Sequence, residues 1–160
     1  MIMNNFKFLF VLSCICLQVF LSKAYDENDL DETDKKCLQE LNLDKSVVIN
    51  NYDKDDFIKE GNIQFNQFYA CAWKKDKLLQ DDGSIRLLNL TNMVIAKLEK
   101  LFPGVTNSAY RGYLAGESTA PCKTVRGSDD GDTCVKIYNC ILRKIGEVSQ
   151  KVTPEQFRPS

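Results

Sequence analysis

The 160-residue sequence contains no histidine, and that absence excludes several chemistries together. A serine or cysteine nucleophile has no imidazole to activate it, imidazole-based zinc sites cannot form, and a histidine pH switch has no group to carry it. No C-x2-C pair occurs either, so the usual thiolate pattern of a zinc site is missing, and neither a metal nor a cofactor is expected. An excess of positive charge is also lacking. There are 21 Lys and Arg against 22 Asp and Glu, without the basic face that nucleic-acid binding requires. Only carboxylates remain for acid–base work and no pair of them stands out, so an enzyme is not expected.

Long apolar runs are equally scarce. The single one follows Lys7, runs from Phe8 to Leu21, and spans 14 residues, short of the roughly 20 needed to cross a bilayer. Ser22 and Ala24 place small residues three and one before a cleavage point at Tyr25, so residues 1–24 read as a secretory signal peptide, with an uncleaved anchor as the competing reading. Cleavage removes Cys14 and Cys16, and the loss of Lys7 and Lys23 from the 21 basic residues leaves 19 against 22 acidic ones, a net charge of −3. Residues 25–160 then form one domain of ordinary size, extracellular and without membrane insertion.

Five cysteines remain, Cys37, Cys71, Cys122, Cys134 and Cys140, spaced C-x33-C-x50-C-x11-C-x5-C. An odd, widely spaced set in a small secreted chain reads as two disulfides holding a helical domain, with one thiol left over.

Apolar periodicity predicts an all-α chain of about six helices. The first covers Asp26 to Leu43 and a short second one Asp44 to Asn51. The third, capped by Asn62, runs from Ile63 to Leu79 and ends in the turn Gln80-Asp81-Asp82-Gly83. The fourth covers Ser84 to Phe102 before Pro103-Gly104, the fifth follows a Thr106 cap to about Glu117, and the sixth starts at Asp132 or Thr133 and ends near Val148.

At 100° per residue, with Asn89 at zero, Leu87, Leu88, Leu90, Val94, Ile95, Leu98, Leu101 and Phe102 fall between roughly 100° and 260°, a wide apolar arc. Asn89 centres the wet face and opens the sequon Asn89-Leu90-Thr91, which makes it a candidate N-glycosylation site. On the sixth helix, Ile137, Ile141, Ile145, Tyr138, Leu142, Val135 and Val148 surround Cys134, which therefore points to the core. Cys140 stands at about 240°, so the two thiols diverge and cannot bond to each other. Cys140 is free to reach the loop holding Cys122.

Two stretches resemble a known family. Phe68-Tyr69-Ala70-Cys71 with Lys77-Leu78-Leu79-Gln80-Asp81-Asp82-Gly83-Ser84-Ile85, and Gly127-Ser128-Asp129-Asp130 with Asp132-Thr133-Cys134-Val135-Lys136-Ile137-Tyr138-Asn139, are similar to the third- and fifth-cysteine helices of the insect odorant-binding proteins. The likeness spans roughly Asp31 to Lys144 and rests mainly on cysteine order. Gln67 stands where the family has its second cysteine. Arg143 stands where it has its last, with Cys140 a turn earlier on nearly the same face.

The resemblance implies helices around an apolar cavity, disulfides Cys37–Cys71 and Cys122–Cys140, and a free thiol at Cys134. Cys122–Cys134 with Cys140 free is the competing pairing. A free Cys134 is either an inert core thiol or an intermolecular bridge. Phe65, Phe68, Tyr69 and Ala72 share one face of the third helix, and Tyr110, Tyr113 and Leu114 one face of the fifth. Taken alone, each reads as ordinary core. The resemblance implies that they line a pocket for a small hydrophobic ligand, together with Leu87, Val94, Leu98, Tyr138 and Leu142. Phe157, between Pro154 and Pro159, is either a plug for that pocket or part of a frayed tail. Trp73 falls at a different angle and reads as partly exposed.

The implied function is a secreted carrier of odorants, pheromones or related lipophilic molecules, with a membrane receptor or a second copy of the chain as further partners. Two alternatives stand beside it. One is a salivary or venom scavenger of host amines or lipid mediators, for which Glu117 or Asp132 would supply a buried carboxylate. The other is a secreted interaction protein with no ligand pocket.

Overall fold

A computed structural model describes residues 25, 27–101 and 106–153; the expected signal peptide, Phe102, Pro103-Gly104 and Phe157 lie outside the described residues. Six α-helices are present among them: α1 Glu32–Glu40, α2 Ser46–Ile49, α3 Ile63–Lys75, α4 Leu87–Leu101, α5 Ser108–Thr119 and α6 Asp130–Ser149, with 3-10 turns at Glu27–Asp29 and Pro121–Thr124. The only β pairing among the described residues is two isolated bridges, Tyr52 with Ile58 and Leu79 with Ile85.

Helix starts are set by short polar side chains. The Asp31 carboxylate accepts from the Asp34 amide at 2.9 Å while the Asp34 carboxylate accepts from the Asp31 amide at 3.1 Å, a reciprocal cap at the start of α1. Asn62, Asn107 and Asp129 accept from Phe65, Tyr110 and Asp132 in the same way. Thus α5 is capped by Asn107 rather than by Thr106, and α6 begins two residues before Asp132, because Asp129 captures the Asp132 amide. The turn after α3 closes where Gly83 adopts φ +77°, a conformation that glycine takes without a Cβ penalty.

Helix α6 packs against both α3 and α5, α5 against α4, and α1 against α3. At the α3–α6 crossing, a Cβ on Gly131 would come within 2.1 Å of the Asn66 carbonyl oxygen, so only glycine lets the two backbones approach this closely. Because α3 is covered by both α1 and α6, its buried arc is wider than periodicity predicts. Trp73, expected to be partly exposed, is 2% exposed. The opposite correction applies at Leu88, which is 72% exposed: it lies at the edge of the apolar arc of α4, beyond the cover that α5 provides.

The disulfides are Cys37–Cys71, joining α1 to α3, and Cys122–Cys140, joining the second 3-10 turn to α6; Cys134 is free and buried. Their sequence separations of 34 and 18 correspond to about 3 to 4 kcal/mol each in the chain-entropy model. No helix among the described residues is long and apolar enough to cross a membrane.

Candidate functional site

The site is organised by the segment between α2 and α3. Asp53 folds it into a tight turn, its carboxylate accepting from the amides of Asp55 at 2.8 Å and Phe57 at 2.9 Å, while its own amide donates to the Phe57 carbonyl at 2.8 Å. Asp56 thereby takes φ +67°, a left-handed conformation that Asp tolerates better than most residues. The turn is held to α6 by Asn139, whose amide oxygen accepts from Ile58 N at 2.9 Å and whose amide nitrogen donates to Ile58 O at 2.8 Å.

This placement lays Tyr52 across the helices. Its ring stands 5.8 Å from Phe65 and 6.4 Å from Tyr138, edge-on to both, and Tyr25 stacks on it at 4.4 Å. Phe65 continues to Phe68 at 5.7 Å and Tyr69 at 5.3 Å, and Tyr69 continues to Tyr138 at 6.0 Å and Trp73 at 5.4 Å. Such ring pairs each add about 0.5–1.5 kcal/mol beyond their area. Burial holds the phenols of Tyr52 and Tyr69 well above the ordinary tyrosine range, so both stay neutral.

Where the aromatic cluster meets solvent, a cleft of about 580 Å³ is lined by Tyr25, Asp29, Asp56, Met93, Ala96, Lys97 and Lys100, a size that suits a small organic ligand. Lys97 pairs with Asp56 at 3.1 Å and donates to the Tyr138 hydroxyl. Its ammonium is 4.8 Å from the Tyr138 ring centroid. Being bonded to the hydroxyl, it lies out beyond the ring edge and not over the π face, so the contact is a hydrogen bond rather than a cation–π interaction. A separate cleft of about 410 Å³, lined by Lys74, Lys77, Leu79, Gln80, Asp81, Asp82 and Arg86, has no aromatic residue in its wall.

Of the residues named from sequence, Phe65, Phe68, Tyr69 and Tyr138 are brought into one ring cluster. Ala72, Val94, Leu98, Tyr110 and Leu114 are buried, Leu87 and Leu142 half-buried, and Tyr113 reaches the surface at 37% exposure. The Tyr110 hydroxyl donates to the Val152 carbonyl at 3.0 Å, tying the end of the described chain to α5. Asn89 is half-buried, and the nitrogen that would carry a glycan donates to the Lys77 carbonyl at 2.9 Å.

Neither carboxylate weighed for amine binding faces the cluster freely. Glu117 is exposed, and Asp132 accepts from Lys136 at 2.8 Å and from the Ser128 amide at 2.8 Å, which hold its carboxyl below the usual range. Tyr25, Tyr52, Asp56 and Lys97 were not anticipated. Their signal in sequence is faint: Tyr25 as the residue after the cleavage point, and Lys97 beside Val94 and Leu98 on α4.

Compared with known proteins, residues 22–144 match the model of the PBP/GOBP family, a span that holds all five cysteines of the expected mature chain. No curated protein matches the chain, and no solved structure does.

Proposed function

The chain belongs to the PBP/GOBP family, the insect odorant-binding family, and on that footing we propose that it is a secreted carrier of small hydrophobic molecules such as odorants or pheromones. The observation that supports this reading within the chain is the ring cluster of Tyr52, Phe65, Tyr69 and Tyr138 beneath a cleft of ligand size. A ligand burying about 250–300 Å² of apolar surface there would gain roughly 6–8 kcal/mol before ordering costs, consistent with micromolar affinity. Binding and release make and break no covalent bond. Secretion follows from residues 1–24 acting as a cleaved signal peptide.

The test is titration of a lipophilic naphthylamine probe into the chain purified from the medium of secreting cells, followed by competition with volatiles, fatty acids and biogenic amines. Saturable uptake displaced by the first two classes supports the carrier; displacement by amines alone supports the scavenger. No saturable uptake by a monomer with both disulfides formed contradicts both.

A further inference from the structure

The polar edge of the cleft is asymmetric. Its wall on α4 is the helical stripe Met93, Ala96, Lys97, Lys100, at spacing i, i+3, i+4, i+7, apolar at its start and cationic at its end. Among the described residues, two of the three Lys97 protons go to Asp56 and Tyr138, which leaves one for a further acceptor. The Lys97 and Asp56 side chains are 27% and 32% exposed, shielded enough to strengthen a charge contact and open enough to be reached. Burial works to lower the Lys97 pKa, but Tyr138 and Asp56 outweigh it and leave the group above the ordinary lysine value, a firm cation.

Resting on the carrier reading, we propose that this cleft takes an amphipathic ligand with a carboxylate head, the head seated on Lys97 and Lys100 in exchange for Asp56 and the hydrocarbon chain lying along Met93, Ala96 and Tyr25. Asp56 holds the place that a ligand carboxylate takes on Lys97, so it acts as a competitor. Exchanging one carboxylate for another keeps the Lys97 charge compensated throughout. A neutral head gains nothing from the exchange. An ammonium head has to approach against two lysines, toward Asp56, which Lys97 already neutralises, and Asp29, the other carboxylate of the cleft, which is itself engaged within the chain.

The experiment displaces the same naphthylamine probe with dodecanoate, dodecanol and methyl dodecanoate at neutral pH, using the full chain recovered from secreting cells. The wild-type chain is expected to bind dodecanoate about tenfold more tightly than the methyl ester, a difference of about 1.4 kcal/mol. Within Lys97→Met, dodecanoate and the methyl ester are expected to bind alike, the acid preference being lost, whereas Lys97→Arg keeps it. Asp56→Asn raises dodecanoate affinity about threefold, and asparagine is suited to the left-handed backbone at this position. An ion pair of purely structural use would make Asp56→Asn and Lys97→Met weaken all three ligands alike, and that result overturns the proposal, as does an acid preference that survives Lys97→Met. If the ester and alcohol bind without any acid preference, the headgroup assignment fails and the carrier reading stands. If neither they nor the probe bind, the carrier reading fails and the headgroup assignment with it.

Discussion

Asn139, in the middle of α6, satisfies both backbone groups of Ile58, accepting from its amide at 2.9 Å and donating to its carbonyl at 2.8 Å across 81 residues of sequence. One helical side chain thereby does for the turn at 52–58 what a neighbouring strand does in a sheet. It also sets where Tyr52 and Asp56 stand.

Replacing Asn139 with alanine leaves a buried N–H and C=O without partners, at roughly 1–3 kcal/mol for each group. Asn139→Ala is therefore expected to lower unfolding stability by about 2–4 kcal/mol, measured by urea denaturation with both disulfides intact. Asn139→Asp should fall close to it, because an ionised aspartate keeps the acceptor but loses the donor and sets a buried charge beside Glu60, to which the Asn139 amide donates at 3.3 Å. A loss under about 0.5 kcal/mol would show that the turn is held by other contacts.

The helices and their staples were legible because each rests on a local or countable signal. The cap Asn62, the turn ending at Gly83 and the diverging angles of Cys134 and Cys140 are properties of short windows or of helical pitch. Pairing Cys122 with Cys140 also required the resemblance. The turn at 52–58 was not legible, since its position depends on Asn139 far along the chain and its polar composition resembles any loop. Gly131 falls just before the start of the sixth helix expected at Asp132 or Thr133, yet it makes the α3–α6 crossing possible, and only the crossing reveals that. Trp73 and Leu88 departed from expectation for one reason: angles give the apolar face of a helix, while its neighbours decide how much of that face is covered.

Asp34 makes stability depend on pH in a range where no imidazole can mask it. Burial pushes its carboxyl up to about 6, and the adjacent Asp31 carboxylate adds to the rise. An unfolded aspartate titrates near 3.9, so the folded chain holds this proton more tightly. The stabilising contribution of the protonated form is complete below about pH 4 and is lost as pH rises through about 6. Asp34→Asn should abolish the effect. Between those limits the wild-type chain is expected to lose on the order of 1 kcal/mol relative to the variant, after allowance for solvent at the exposed edge of the carboxyl. Urea midpoints of the two proteins as a function of pH check this, and parallel curves would contradict it.

Cys134 is expected to be chemically silent in the folded chain. It is fully buried, and burial, with Asp130 adding, pushes its thiol up to about 12. Thiolate is the reactive form, so iodoacetamide at neutral pH should leave the native chain unmodified and label one thiol after unfolding without reductant. Cys134→Ala should remain monomeric. Rapid native labelling, or a disulfide-linked dimer lost in Cys134→Ala, would restore the intermolecular bridge.

The carrier assignment is tested most directly by calorimetric titration of the secreted, doubly disulfide-bonded chain with dodecanol, a neutral ligand that makes no demand on Lys97. Saturation is expected at about one ligand per chain, with micromolar affinity and a negative heat-capacity change, the mark of apolar surface leaving water. Heats that never saturate, or a heat-capacity change indistinguishable from zero, would mean that the cleft over the aromatic cluster is not a binding site.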